Sequence, residues 1–315
     1  MKDLYCIGEL LIDFIPGSEP ASYIRKAGGA PANVAIAMTK NGLSASMAAK
    51  VGDDDFGHFL VDTLREYNVG VACPDYCKEA VTTMAFVTLA EDGDRKFTFA
   101  RKPGADTLLS PDEIREEDIA DSAIIHAGSC SLSAGPAVEA TKKALRLGHE
   151  KGCLVSFDVN YRNVMWDDDV EACTKAVMEI LPYVDLLKIS DEEVGMMGGV
   201  DAIPDLMKKY SIAMVMETLG ADGAQAFFDG QVIRVPGRKV KAVDATGAGD
   251  AFWGATLASL RIQGVNKASD LTAEIIRKAM DYGNVSGCIC VQSKGAIVSI
   301  PTRDQIEAYL AKEAQ

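Results

Sequence analysis

The feature that most constrains this chain is an alternation. Short apolar runs at residues 5–7, 123–127, 154–159, 186–189 and 212–216 take turns with stretches of helical periodicity at 31–41, 56–67, 137–150, 170–181 and 251–260. Apolar runs without a polar face suit strands buried on both sides. Strands separated by helices pair in parallel, with the helices covering both faces of the sheet. The expected fold is therefore α/β, with three layers and a mostly parallel central sheet. The stretch 4–16, interrupted by Glu9 and Asp13, reads as a first buried strand.

Two segments break the rhythm. Residues 82–89 and 95–100 alternate with period two around Glu91-Asp92-Gly93-Asp94, a hairpin signal. This hairpin reads as part of a small β lid over the carboxyl edge of the sheet, where open α/β sheets bind ligands. A weaker hairpin, 224–228 and 231–235 around Asp229-Gly230, is expected to finish the main sheet with antiparallel strands. No fixed repeat and no Pro- or Ser-rich linker divides the chain. The expectation is one domain over 1–315, with lid segments inserted near 14–28 and 80–104.

Composition narrows the partners. A net charge of -14 repels polyanions, so neither nucleic acid nor an anionic membrane surface is an expected partner. No apolar run reaches the ~20 residues that span a bilayer, and no signal-peptide pattern opens the chain, which points to the cytoplasm. The 8 cysteines are scattered through apolar runs. Neither Cys73 and Cys77 nor Cys288 and Cys290 has zinc-ligand spacing, and His58, His126 and His149 lie far from both pairs.

The segment that carries chemistry is Asp244-Ala245-Thr246-Gly247-Ala248-Gly249-Asp250, directly before the helical run 251–260. Small residues opening a helix leave backbone N–H groups unobstructed at the positive end of its dipole, which makes an anion site. A carboxylate there would repel phosphate, but it is well placed to take a proton from a hydroxyl that attacks phosphate. Asp250 is the candidate general base. A Gly-rich turn with an acidic cap also occurs in proteins without any such function. The segment is not a dinucleotide fingerprint, because Phe252 stands at the third glycine, and the chain contains no P-loop.

Toward the N-terminus, Gly28-Gly29-Ala30-Pro31-Ala32-Asn33 and Lys50-Val51-Gly52-Asp53-Asp54-Asp55-Phe56-Gly57 each open a helix after an apolar run. A glycine pair makes a backbone hinge, and an asparagine offers both donor and acceptor to a polyol. Together with the Asp244–Asp250 segment, the chain resembles the ribokinase-like (PfkB) carbohydrate kinases, and more closely the fructokinase branch. The resemblance runs from Gly8-Glu9-Leu10-Leu11-Ile12-Asp13 to Ser293-Lys294-Gly295.

That resemblance implies a Mg-ATP-dependent sugar kinase on the ribokinase-like α/β/α fold. Asp250 would be the base, and the amides of Gly247, Ala248 and Gly249 the anion hole. Asp13, Gly28, Gly29, Asn33, Arg101 and Arg162 would hold the sugar, although Arg162 also reads as a surface ion pair. Lys188, Thr218, Gly220, Gly223 and Asn284 would hold the nucleotide. Glu193 would hold Mg2+ through water, with Ser190 standing where relatives carry Asn. Asp244, Ser293, Gly295 and Ser299 match positions that surround a monovalent cation such as K+ in many relatives. Where related enzymes often carry Phe-Tyr-Arg, this chain has Phe99-Ala100-Arg101. Fructose is the expected acceptor. An aminoimidazole riboside or other nucleoside, 2-keto-3-deoxygluconate, and a non-catalytic sugar sensor are the alternatives. The open lid edges imply a homodimer formed lid to lid.

Overall fold

The computed structural model describes residues 1–19, 21–89 and 95–313. The turn expected at 91–94 lies outside the described residues. In chain order the strands are β1 (Lys2–Ile7), β2 (Leu11–Pro16), β3 (Tyr23–Gly28), β4 (Ala45–Ala48), β5 (Val69–Val71), β6 (Met84–Leu89), β7 (Arg95–Ala100), β8 (Ser122–Gly128), β9 (Leu154–Asp158), β10 (Leu186–Ser190), β11 (Met214–Thr218), β12 (Gly223–Phe228) and β13 (Gln231–Pro236). The helices are α1 (Ala30–Lys40), α2 (Asp55–Glu66), α3 (Glu116–Ala120), α4 (Ala137–Lys151), α5 (Val170–Ile180), α6 (Ile203–Tyr210), α7 (Ala248–Ile262), α8 (Ala273–Cys290), α9 (Ala296–Ser299) and α10 (Arg303–Glu313).

The main sheet runs β13-β12-β11-β10-β9-β8-β1-β4-β5 among the described residues. It is parallel from β11 to β5 and turns antiparallel at β12 and β13. Every residue of β8 and β9 is buried, as helix cover on both faces requires. The edge strand β13 instead alternates exposed and buried positions. Two large apolar clusters, one centred on Leu4, Ile36, Met47 and Trp253 and the other on Tyr5, Ile125, Phe157 and Val177, take their strand residues mainly from alternate positions.

Residues 4–16 are not one strand. β1 stops at Ile7, and β2 joins a second sheet of order β3-β2-β6-β7. The break follows from Glu9, whose buried carboxylate accepts from the N–H of Ala30 at the start of α1, a contact an uninterrupted strand could not make. In the small sheet the β2–β3 and β6–β7 pairs are antiparallel, and the central β2–β6 pair is parallel. Phe14 stacks on Phe86 at 4.9 Å and meets Phe56 of α2 edge-on at 5.6 Å. The root of β6 is held by Asp54, which caps α2 through the amides of Phe56 and Gly57 and also accepts from the Thr82 amide and hydroxyl, both at 2.8 Å.

Helix α7 lies against the sheet between α1 and α8. A Cβ on Gly254 would sit 2.5 Å from Cβ of Ala37, so the α1–α7 crossing depends on that glycine. Trp253, fully buried, donates from its indole nitrogen to Oγ of Ser156 in β9 at 3.0 Å. This contact anchors the first turns of α7 to the sheet. No helix among the described residues is long and apolar enough to cross a membrane.

Trp253→Ala is expected to cost about 3–5 kcal/mol in stability, through the cavity and the lost hydrogen bond. Urea unfolding measures it; a loss below about 1 kcal/mol would show that α7 is held mainly by other contacts.

Candidate active site

The carboxyl ends of the main-sheet strands, the first turns of α1 and α7 and the inner edge of the small sheet enclose a cleft of about 760 Å³. Its floor is the start of α7. Gly247 stands before the helix at φ 75, and a Cβ there would sit 2.5 Å from Cβ of Ala296, so only glycine makes this entry. The Ala248 amide is taken by the Ala245 carbonyl at 3.2 Å, which removes Ala248 from the expected trio of anion-binding amides. Asp250 lies in the first turn, buried, and its Oδ2 accepts from Nδ2 of Asn33 at 2.7 Å. Burial raises the Asp250 pKa above the ordinary carboxylate value, against the Asn33 hydrogen bond and the nearby Arg162 and Lys188.

Asn33 belongs to the first turn of α1, whose entry is set by Gly29 at φ 119. A Cβ on Gly29 would meet the Glu9 carbonyl at 2.3 Å, so Gly29 is required by close approach as well as by conformation. Asp13 lies across the cleft on β2. Burial, reinforced by Asp250 and opposed by Arg162, pushes its carboxyl up to about 6. Arg162 lines the cleft, where Asp250, Glu193 and Asp158 favour its charge, and among the described residues it makes no ion pair, its Nη1 donating to the Tyr161 carbonyl.

Arg101 does not line the cleft. Its guanidinium is engaged by Asp106, Oγ of Ser133 and the Cys130 carbonyl, with its neighbour Phe99 facing the cavity in its place. Gly28 likewise contributes through β3 pairing rather than as lining, with a Cβ there meeting Oδ2 of Asp13 at 2.1 Å.

At the other end of the cleft stand Ser190, Asp191, Glu192, Thr218 and Gly220. Lys188, expected beside the nucleotide, lines the cleft, pairs with Asp158 at 2.9 Å and lies next to Gly249, where a Cβ would be 3.7 Å from Nζ. Burial works against the Lys188 charge, but Asp158, Glu193 and Asp250 outweigh it, so the amine stays protonated. Gly223 and Asn284 do not line the cleft. The Asn284 amide donates to the carbonyls of Val235 and Pro236, which ties α8 to β13. Glu193 accepts the Tyr161 amide on Oε1 at 2.6 Å and the Ser190 amide on Oε2 at 2.8 Å. Below the cleft, Asp244 accepts from the Thr246 and Gly295 amides, Oγ of Ser299 is buried without a partner among the described residues, and Ser293 is exposed. No group of three His, Cys, Asp or Glu among the described residues is placed to hold a metal by itself.

Sequence reasoning assigned no role to Glu9, Phe99, Cys130 or Asp158, the first three of which line the cleft. The available signal was a carboxylate directly beyond a buried strand, after β1 for Glu9 and at the end of β9 for Asp158.

Fold and cleft together define a ribokinase-like phosphotransferase. A sequence model described as "pfkB family carbohydrate kinase" matches residues 1–303. Fructokinase-1 of Zea mays is 37% identical over 97% of this chain and 96% of its own length, and probable fructokinase-2 of Arabidopsis thaliana is 39% identical over 96% and 94%. Fructokinase with bound ATP from Xylella fastidiosa superposes with a TM-score of 0.91 at 28% identity, covering 100% of both chains. Aminoimidazole riboside kinase from Salmonella enterica, complexed with aminoimidazole riboside and an ATP analog, superposes at 0.84 and 28% identity over 98% and 99%. The chain belongs to the pfkB family of carbohydrate kinases and is an ATP-dependent sugar kinase.

The raised Asp13 pKa has a stability consequence. The fold favours the protonated acid, so this contribution is present below about pH 4 and lost as pH rises through about 6. Asp13→Asn is expected to raise the melting temperature relative to the parent more at pH 8 than at pH 4.5. Parallel pH profiles for the two proteins would show that Asp13 titrates as an ordinary carboxylate.

Proposed function

We propose that this enzyme transfers the γ-phosphoryl group of ATP to a primary hydroxyl of fructose, with Asp250 as general base. The observation that carries this reading is the Asp250 carboxylate, buried in the first turn of α7 and oriented by Asn33 inside the cleft. A base with a raised pKa takes the hydroxyl proton as the oxygen attacks. The amides of Gly247 and Gly249, at the positive end of α7, and the Lys188 ammonium face the charge that develops on the transferred group. Asp13, Gly29, Asn33 and Arg162 hold the sugar, and Thr218 and Gly220 border the nucleotide end. Arg101 acts indirectly, by fixing the lid base against Asp106.

Both Glu193 oxygens are fixed by amides and keep lone pairs for metal-bound water, which suits Mg2+ held mainly by phosphates and solvent. The metal would cover phosphate charge in a cleft rich in carboxylates. The unpartnered Ser299 hydroxyl and the Asp244–Gly295 corner suit K+. Fructose as acceptor is supported by the relatives named fructokinase. Ala100, in place of an aromatic ring, leaves room for a furanoside base, so aminoimidazole riboside is the second reading, supported by the Salmonella enterica enzyme. We assign the enzyme to the cytoplasm, where ATP is available. We also read it as a homodimer joined through the small sheet, whose edge strand β3 exposes Tyr23 and Ile24.

Asp250→Asn is expected to bind ATP normally and lose about 10³-fold or more in kcat. The assay is ADP release with fructose, aminoimidazole riboside, inosine, ribose and 2-keto-3-deoxygluconate, with and without K+; parent-like rates in the variant would remove Asp250 from the chemistry. Sedimentation of the parent at micromolar concentration is expected to show a dimer that Ile24→Lys dissociates, and a monomer in the parent would refute the lid contact.

A further inference from the structure

Glu9 is only 4% exposed, yet it borders the sugar end of the cleft beside Leu11, Asp13, Ala30 and Cys130. Its two carboxyl oxygens are in different situations. Oε1 accepts from the Ala30 amide at 2.9 Å, which fixes the side chain to the first turn of α1. Oε2 is buried and has no hydrogen-bond partner among the described residues. The Arg101 guanidinium, whose charge acts on Glu9, directs its hydrogen bonds to Asp106, Ser133 and the Cys130 carbonyl instead. A buried oxygen without a partner costs free energy that a bound group can recover. Burial also pushes the Glu9 carboxyl up to about 7, so the group can accept a hydrogen bond as a carboxylate or donate one as an acid.

Asn33 repeats the pattern one turn along α1. Its Nδ2 is fixed on Asp250, while its Oδ1 is buried and unpartnered among the described residues. Two side chains, each anchored by one atom and holding out the other, line the end of the cleft assigned to the sugar. The complement is a neutral polyol with a hydroxyl for each of them. A carboxylate brought to that end would meet Glu9 and Asp13 as two further acids.

Resting on the sugar-kinase reading above, we propose that Glu9 is a specificity-determining residue: its Oε2 forms a hydrogen bond with one hydroxyl of the acceptor sugar, which selects neutral polyols over sugar acids.

The test is a cycle between residue and substrate, measuring kcat/KM for fructose and each monodeoxyfructose with the full-length parent and Glu9→Ala. The parent is expected to lose about 10- to 100-fold on the one analogue that lacks the contacted hydroxyl. Glu9→Ala is expected to lose a similar factor on fructose and nothing further on that analogue. Equal losses in parent and variant for every analogue would overturn the contact, as would a variant with unchanged fructose kinetics. Should Glu9→Ala fail to fold, Glu9→Gln, which keeps an oxygen for the Ala30 amide, enters the same cycle. The parent's own turnover of fructose checks the acceptor separately. If another sugar of the panel is the one phosphorylated, the cycle runs on its deoxy analogues, and if none is, on calorimetric binding constants for the same sugars.

Discussion

The hydrogen bond between Asn33 and Asp250 joins the first turns of α1 and α7, 217 positions apart, inside the cleft. Burying a carboxylate is costly unless hydrogen bonds and cations compensate it. Asn33 supplies the first, and Arg162 and Lys188 the second. Each compensating group makes its own demand. Asn33 must reach the floor of the cleft, so α1 must start at the Gly29 hinge, and that start is held by Glu9. Lys188 must stay charged in the interior, so Asp158 ends β9 beside it.

The scaffold is stiff for the same reason. Helix α7 is fixed on one side by the Trp253–Ser156 bond to the sheet and on another by the close α1 crossing at Gly254. Asp250 is therefore carried by an element with little freedom to tilt. The cleft pairs few cations with Glu9, Asp13, Asp191, Glu192, Glu193 and Asp250, so its field resists a bare polyphosphate. A nucleotide whose charge is already partly covered enters such a cleft more easily than a free one.

Much of the fold was legible in the sequence because burial on both faces leaves a plain mark. Strands β8, β9 and β10 and helices α1, α2, α4 and α5 lie within a few residues of where their patterns put them. Strand β11 begins two residues later than read, because Ile212 belongs to the turn closed by its amide on the Met207 carbonyl. Helix α8 went unread because its buried face carries Asn284 and Ser286, which are satisfied by the carbonyls of Val235, Pro236 and Ala251, partners that only the tertiary fold supplies. The small residues of the Asp244–Asp250 segment were the sequence signal for an expected anion site. What it could not announce was the partner of each charge: that Arg101 would serve Asp106, that Lys188 would turn toward Asp158, and that Ala248 would give its amide to a turn.

The small sheet is assembled from two hairpin-like halves contributed by distant parts of the chain, which meet among the described residues at the parallel β2–β6 pairing. Because strands in register move together, the plate cannot tilt one half without the other. Asp13 rides on β2 and Gly28 on β3, while Phe99 rides on β7. Asp13 and Phe99, one from each half, both line the cleft. Through the β2–β6 pairing, a contact made on one half of the plate is braced by the other.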